Sequence, residues 1–358
     1  VFHYVNHCRR AVVMKNKTLK NITSQRLFLP IFCLALVLLV NIITTPNFFS
    51  IEIRDGVLYG YMIDIINRAS ELVILAVGMT LVVSSSAGTD ISVGAIMAVS
   101  AAVCCNILTG GERAVTAYAN PLILGFIAAL VVGAAIGCFN GFLVSKLNIQ
   151  PMVATLIMFT AGRGIAQLIT DGQITYVRVD SYRVLGASFP GFPVPTPFIV
   201  AVLVVALTSL LLKKTALGMY IQSVGINKRA SQLVGIKSVL IIFLTYAYCG
   251  LCSGLAGLIA SSRIYSADAN NIGLNMELDA ILAVAIGGKF SLACSVIGAF
   301  TIQALTTTLY AMHVSSDQVP VYKAIVVVII VALQSPGFAR WRKSLLQKKE
   351  IKAGKEAA

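Results

Sequence analysis

Long apolar runs alternate with short polar segments along the chain from Leu27 to Leu333. Each run is close to the roughly 20 residues that an α-helix needs to cross a bilayer. The pattern therefore predicts an all-α, polytopic helical membrane protein with about ten transmembrane helices. The predicted spans are residues 27–45, 65–86, 90–109, 121–145, 152–170, 196–212, 238–260, 272–288, 291–311 and 319–335.

Three of these spans, at 65–86, 90–109 and 272–288, are short, carry polar residues or abut a Gly-rich break. An arrangement with about eight spans, in which two of them are fused or dropped, is the alternative. Outside the spans, residues 46–64 are expected to form a short surface helix. Residues 171–196 contain three prolines and predict a turn-rich loop that cannot be a membrane helix.

Composition and charge agree with a membrane protein and add an orientation. Hydrophobic residues make up 58% of the chain and charged residues 12%, too few charges to cover a soluble protein of 358 residues. The net charge is +14, and the cations concentrate in the N-terminal segment, the C-terminal tail and residues 213–237, whereas the intervening segments are mixed or acidic. This is the positive-inside pattern, which predicts both termini in the cytoplasm and no nucleic-acid partner.

The same features divide the chain into three parts. We expect a basic cytoplasmic segment at 1–26, a transmembrane domain at 27–335 and a basic cytoplasmic tail at 336–358. No small-residue cleavage site follows the first apolar run, so that run is interpreted as a retained span rather than a signal peptide. The expected location is a bacterial inner membrane, crossed several times.

The residues that commonly carry catalysis or bind metals are scattered. The three histidines are dispersed, and the Cys249-x-x-Cys252 pair has no second ligand pair, so we interpret the cysteines as small buried side chains and expect no metal site. The chain has no G-x-x-x-x-G-K-[ST] phosphate loop. It is therefore expected to be neither an enzyme nor an ATP-binding protein, and any ATP and Mg²⁺ would be bound by a separate subunit.

A first candidate site is the polar, Gly-containing segment Ser84–Gly94, which separates two apolar runs. Thr89, Asp90 or Ser92 could cap the following helix, as in an ordinary turn. The same residues would also suit a broken transmembrane helix, whose free backbone groups lie beside a polar path in many transporters. Spacing alone leaves both interpretations open.

A second polar cluster extends from Asp268 to Asp279, directly before a short apolar helix. Acidic residues at a helix start are favoured by the helix dipole, so capping explains them as well as contact with a polyhydroxylated solute does. Arg163 lies inside a predicted span, where a charge is a functional candidate, although an ion pair or snorkelling would also account for it. The candidate substrate-path residues are Asp90, Arg163, Asp268, Asn270, Asn271, Glu277 and Asp279.

Two further polar groups have simpler explanations. Asp64, Arg68 and Glu71 are spaced for ion pairing within one helix.

The segment Leu217–Ile236 has glycine breakers, basic residues and room for one short helix near Asn227–Leu233. It is either a solvated loop or a surface that docks into a cleft of a cytosolic partner. Its candidate coupling residues are Gly218, Gly225, Asn227, Lys228, Arg229 and Gly235.

Several motifs occur in an order that resembles the ribose-type family of carbohydrate ABC importer permeases over about residues 30–335. The motifs are Gly78-Met-Thr-Leu-Val-Val, Gly88-Thr-Asp-Ile-Ser-Val-Gly94, Asn140-Gly-Phe-Leu-Val, Pro151-Met-Val-Ala-Thr-Leu, Gly162-Arg-Gly164, the segment Leu217–Ile236 and Glu277-Leu-Asp-Ala-Ile-Leu-Ala-Val-Ala-Ile-Gly-Gly288. Within that family, four segments are most similar to one of the two permeases of the galactofuranose importer: Arg54-Asp-Gly, Ile63-Asp-Ile-Ile-Asn-Arg68, Gln167-Leu-Ile-Thr-Asp-Gly-Gln173 and Ala267-Asp-Ala-Asn-Asn271.

The resemblance implies a pore-forming subunit that translocates a monosaccharide, with a cytosolic ABC ATPase docked on residues 213–237. It also implies a periplasmic sugar-binding protein and a second, related permease. The sequence departs from the family pattern at Ala87-Gly88-Thr89 and by a shortened turn after Gly288, and both departures bear on the pore geometry. An ABC permease for a nucleoside, another furanose or an amino acid, and an ion-coupled secondary transporter, are the alternatives.

Overall fold

A computed structural model of the protein describes residues 27–45, 48–54, 57–189, 191–287 and 291–334. The basic terminal segments and the shortened turn after Gly288 lie outside these residues. The helices are α1 (Phe28–Thr44), α2 (Tyr61–Ser86), α3 (Val93–Thr109), α4 (Leu122–Ser145), α5 (Pro151–Ile169), α6 (Asp180–Arg183), α7 (Thr196–Lys214), α8 (Leu217–Ile226), α9 (Lys228–Leu233), α10 (Ser238–Ile264), α11 (Met276–Gly287), α12 (Leu292–Ala311) and α13 (Val319–Gln334). The strands are β1 (Glu52–Arg54), β2 (Val57–Tyr59), β3 (Ala114–Val115), β4 (Thr175–Val177) and β5 (Ser266–Ala267).

The fold is mostly helical, and each of the ten predicted spans overlaps one of these helices. Within the part of the chain that the structure describes, six helices, α2, α4, α5, α7, α10 and α12, are long and apolar enough to cross a membrane. The others are shorter, and α11 has only 12 residues. At 1.5 Å per residue it extends about 18 Å, well short of a hydrocarbon core of about 30 Å.

Helices α2, α3 and α10 form the centre of the bundle. Every residue from Ala69 to Val82 of α2 and from Val93 to Ala102 of α3 is buried, as expected for helices that are apolar on all sides. Helices α4 and α10 approach closely through glycines: a Cβ on Gly137 would lie 2.5 Å from the carbonyl oxygen of Tyr246, and one on Gly133 would lie 2.8 Å from that of Gly250. Small residues allow this contact between membrane helices.

Two small sheets lie outside the helices, and neither was predicted. The surface helix expected within residues 46–64 is wrong, because β1 and β2 pair there as an antiparallel hairpin. In the second sheet, β4 pairs in parallel with β3 and antiparallel with β5. Backbone pairing between segments distant in sequence has no local hydrophobic signature, which is why the pattern of apolar residues missed this sheet.

The connection at residues 213–237 contains more helix than was predicted. The short helix near Asn227–Leu233 is confirmed as α9, and the Asn227 side chain accepts a hydrogen bond from the backbone N–H of Ala230 at 3.0 Å. The ten-residue α8 precedes it, so Gly218 and Gly225 lie within a helix and are not helix breakers. Gly235 does occupy a turn, with φ of 85°.

Candidate functional site

The connections α2–α3 and α10–α11 share one local conformation. Helices α2 and α10 both end on a non-glycine residue in the left-handed region, Ala87 with φ of 54° and Tyr265 with φ of 55°. Three residues later each connection has an aspartate, Asp90 or Asp268. Each carboxylate accepts a hydrogen bond from the backbone N–H two residues further on, at 2.9 and 3.0 Å. We name residues 87–92 the first break and residues 265–275 the second break.

Asp90 and Ser92 of the first break are buried and hydrogen-bonded to each other. Asp90 is fully buried, and its Oδ1 accepts a hydrogen bond from the Ser92 hydroxyl at 2.6 Å. The Ser92 oxygen in turn accepts one from Asn140 Nδ2 of α4 at 2.8 Å. Ser92 is the N-cap of α3 but makes no side-chain hydrogen bond to that helix. The Asp90–Ser92 bond therefore organises the break itself and does not cap the helix.

The first break runs alongside α5 towards its middle. A Cβ on Gly88 would lie 2.5 Å from Pro151 at the start of α5, and the backbone N–H of Ile91 donates to Thr155 at 3.1 Å. The start of α3 lies against Gly162. At 1.5 Å per residue, this contact is roughly 16 Å along α5 from its first residue. Helix α3 thus begins near half the depth of the bundle, which favours the broken-helix interpretation over an ordinary turn at the end of the bundle.

The second break reaches the same depth from the opposite end. A Cβ on Gly273 would lie 2.5 Å from the Gly94 carbonyl oxygen, and a Cβ on Gly94 would overlap both the Gly273 carbonyl and the Glu277 carboxylate. Gly273 also has φ of 69°, a conformation that favours glycine. The starts of α3 and α11 therefore meet at Gly94, Gly273 and Glu277.

Arg163 holds the second break through backbone carbonyls. Its Nη1 donates to the carbonyl oxygens of Ala269 at 3.0 Å and Ile272 at 2.6 Å, and more weakly to that of Asn270 at 3.4 Å. Among the described residues, Nη2 of Arg163 is buried without a hydrogen-bond partner. Neither snorkelling nor a direct ion pair, the two simpler explanations of Arg163, describes this arrangement.

The part of the second break next to Arg163 presents polar groups at the surface. Asp268 accepts hydrogen bonds from the backbone N–H of Asn271 at 3.2 Å and from its side chain at 2.7 Å. Gln167 of α5 donates to Asn270 Oδ1 at 2.6 Å. The side chains of Gln167, Asn270 and Asn271 are exposed. Of the predicted path residues, Arg163, Asp268, Asn270, Asn271 and Glu277 thus lie in one region.

The remaining predicted path residues are placed differently. Asp90 is enclosed in the first break, and Asp279 forms a buried ion pair with Lys323 of α13 at 2.7 Å. Sequence reasoning missed Lys323. An isolated lysine inside an apolar predicted span was the signal that could have identified it, since a buried charge needs a partner.

A second ion pair also joins distant helices. Asp64 and Arg68 pair within α2 at 3.0 Å, as predicted. The expected Arg68–Glu71 pair is wrong, because Glu71 pairs with Arg263 of α10 at 3.0 Å. Arg263 was not recognised because nothing in the local sequence distinguishes a partner on the same helix from one on a packed neighbour.

Helices α8 and α9 form a surface at the end of the bundle opposite the three-stranded sheet. Its apolar side chains protrude: Ile226 is 79% exposed, Leu233 89% and Val234 76%. Arg229 is exposed, and Lys228 donates to Asn148 at 2.7 Å. A Cβ on Gly225 would overlap the Ser84 carbonyl, so α8 packs directly on the end of α2, before the first break.

The described residues contain no group of three or more His, Cys, Asp or Glu side chains that could hold a metal ion. Cys249 and Cys252 are free and buried in α10, which agrees with the packing interpretation. Cys249 contacts Gly78 of α2, where a Cβ would lie 3.0 Å from its Cα.

Comparison with known proteins decides the family. Residues 61–333 match the model of the family described as branched-chain amino acid transport system / permease component. The chain belongs to this permease family. No solved structure matches it.

Three relatives show which kind of permease the chain resembles. The chain is 45% identical over 311 residues to the galactofuranose transporter permease protein YtfT of Escherichia coli K12, covering 85% of the chain and 88% of the relative. It is 37% identical to the fructose import permease protein FruF of Bifidobacterium longum, covering 96% and 97%. It is 34% identical to the ribose import permease protein RbsC of Escherichia coli K12, covering 84% and 92%. The resemblance to the ribose-type permeases is confirmed.

Proposed function

We propose that the protein is the permease subunit of an ABC importer that translocates a monosaccharide, galactofuranose or a related sugar. The observation that supports it best is the polar second break, which reaches the middle of an otherwise apolar bundle. Backbone carbonyls, carboxamides and carboxylates offer the hydrogen bonds that a polyhydroxylated solute requires. The relatives named for galactofuranose, fructose and ribose support a sugar over an amino acid or nucleoside.

The sugar would pass along the face that carries Arg163, Asn270 and Asn271. At this face, Nη2 of Arg163 and Oε2 of Glu277 are buried and have no hydrogen-bond partner among the described residues, so they are suitable contacts for its hydroxyls. Asp90 and Asp279 would act indirectly: Asp90 by shaping the first break, and Asp279 by fixing α11 to α13. Their assignment to the path stays a prediction.

A second, related permease is proposed to cover this face. Exposed amides next to the exposed apolar side chains of Leu274 and Leu278 would be costly against lipid, where every polar group must be satisfied within the protein. A neighbouring subunit that encloses a water-filled path would satisfy them. A heterodimer with a homologous permease is the form that the resemblance implies.

The surface of α8 and α9 is proposed to dock the cytosolic ABC ATPase, which would bind ATP and Mg²⁺. Protruding apolar side chains with adjacent cations are typical of a protein interface and not of a solvated loop. Because α8 packs on the end of α2, movement of the ATPase would be transmitted to the first break. The chain itself would contribute no ATPase site, and no cofactor is proposed for it.

The proposed topology has ten spans in a bacterial inner membrane, with both termini and α8–α9 in the cytoplasm. The three-stranded sheet and the hairpin would then face the periplasm, where a periplasmic sugar-binding protein would deliver the substrate. The distribution of cations supports this orientation.

Uptake of labelled galactofuranose and ribose into vesicles that contain both permeases, the ATPase and the binding protein tests the proposal. We expect Asp268→Ala and Asn271→Ala to reduce uptake without preventing assembly, and Glu112→Ala, an exposed change beyond the end of α3, to leave uptake unchanged. Equal uptake in all three variants would show that the second break does not contribute to the sugar path.

Docking is tested separately by co-purification of the ATPase. Leu233→Asp should release the ATPase, whereas Phe189→Asp, an exposed apolar position at the opposite end, should not. Gly225 is unsuitable for this test, because its substitution would disturb the packing of α8 on α2. Uptake by this chain alone, driven by protons or sodium without ATP, would instead support the secondary-transporter alternative.

A further inference from the structure

A second polar feature lies outside the proposed sugar path, at the end of the bundle that carries α8 and α9. A cavity of about 700 Å³ opens between the end of α4 and the turn that leads from α9 into α10. Two lysines line it, Lys146 immediately after α4 and Lys237 immediately before α10. Neither lies on the proposed sugar path. Lys237 is the last residue of the proposed docking segment 213–237, but it is not one of the protruding apolar side chains of that segment.

The charge of this cavity is uncompensated within the described residues. No aspartate or glutamate lines it, and neither Lys146 nor Lys237 forms an ion pair there. Both side chains are exposed. The Lys146 ammonium lies 5.7 Å from the centre of the Phe142 ring, a cation–π contact that holds the charge at the cavity wall. Two exposed lysines thus line a cavity to which the described residues contribute no carboxylate.

The other wall of the cavity is apolar. Phe142 belongs to α4, and Leu240 and Phe243 belong to the first turns of α10. Phe142 is 40% exposed and Leu240 48%. Further along the same two helices, Phe139 and Leu244 are also exposed. A cationic rim therefore continues into an apolar surface along two membrane helices.

We propose that this cavity binds the headgroup phosphate of an anionic phospholipid, whose acyl chains lie along α4 and α10. Lysines at the ends of membrane helices lie at the depth of lipid headgroups, and basic pockets between such helices select anionic lipids. Gln232, Gly235 and Ser238 line the same cavity, so a bound headgroup contacts the turn between α9 and α10. The inference requires that the helices span a bilayer, but it is independent of which solute is transported.

Native mass spectrometry of the full purified chain with phosphatidylglycerol or phosphatidylcholine tests the site. We expect phosphatidylglycerol to be retained preferentially, and Lys146→Gln combined with Lys237→Gln to weaken its binding by about thirtyfold, the loss expected from two neutralised cations at an anionic surface. The matched control neutralises Lys213 and Lys214, two exposed lysines at the end of α7 that do not line the cavity. Binding to this control should stay within about twofold of the parent.

Three outcomes would overturn the proposal. Equal loss of phosphatidylglycerol from both double variants would indicate a general charge effect. Protection of the parent chain against thermal unfolding by inorganic phosphate as strongly as by phosphatidylglycerol would indicate a site for a free anion. A photo-crosslinking residue at Leu240 should react with lipid in the bilayer, and reaction with a second permease chain instead would show that a protein covers the cavity.

Discussion

The first and second breaks begin with the same backbone conformation and the same aspartate hydrogen bond, yet their surroundings differ. In the first, Asp90 is fully buried and its Oδ1 accepts two hydrogen bonds from Ser92 within the break. The second is partly exposed and lies between two interhelical ion pairs, Glu71–Arg263 and Asp279–Lys323. One local motif thus contains a buried aspartate in one place and forms a polar surface in the other, because the helices packed around it decide how far the aspartate is exposed.

The largest effect is expected from Lys323→Met, which leaves Asp279 charged, buried and unpaired beside the second break. Removal of one partner of a buried pair costs about 3–5 kcal/mol. The free energy of unfolding, measured by denaturant titration of the purified chain, should fall by that amount. Lys323→Met combined with Asp279→Asn should recover most of the loss, and a double variant no more stable than the single one would contradict the pairing.

Gly94→Ala tests the point at which the two breaks meet. The added Cβ would overlap Glu277 and Gly273, and overpacking of this kind costs about 1–3 kcal/mol. The thermal midpoint should fall clearly. The matched control is Gly164→Ala on α5, where a Cβ meets nothing within 4 Å, and this variant should be at least as stable as the parent. Equal thermal midpoints for the two variants would show that the two breaks do not pack against each other at Gly94.

Arg163→Gln tests whether the second break depends on carbonyl hydrogen bonds. Loss of hydrogen bonds from a charged donor should cost about 1.5–3 kcal/mol, reduced here because the site is partly exposed. Hydrogen exchange of the backbone amides at 268–275 should accelerate in this variant. Arg178→Gln, an exposed arginine stacked on Tyr176, should leave this exchange unchanged. Unaltered protection in Arg163→Gln would mean that α5 does not hold the break.

A final pair of variants compares the two aspartate turns directly. Ser92→Ala removes the partner of Asn140 in a buried site, where an unsatisfied group costs about 1–3 kcal/mol. Asp268→Ala opens a turn that water can reach, and should cost about 1 kcal/mol or less. The free energies of unfolding of the two variants, measured by denaturant titration, test this comparison. A larger loss of stability in Asp268→Ala would contradict the conclusion that the first aspartate turn is the more buried of the two.

Much of the architecture follows from local sequence. Every predicted span overlaps a helix, and the short helix expected near Asn227–Leu233 is present. The candidate site was predicted in part: Arg163, Asp268 and Glu277 were recognised as unusual polar residues and do lie together. The contacts of these residues were not predicted. Arg163 donates to backbone carbonyl oxygens, and because every residue has one, no sequence pattern indicates which of them it will bind.

By itself, the sequence determined the apolar segments, the interruptions between them and the distribution of charge, all properties of neighbouring residues. Helix packing was needed to show that Glu71 pairs with Arg263, that Lys323 pairs with Asp279 across 44 residues of chain, and that the two breaks meet at Gly94 and Gly273. The physical reason is that a buried charge or a close backbone approach depends on distances between helices. Those distances are set by packing of the whole bundle and not by the period of hydrophobic residues in any one helix.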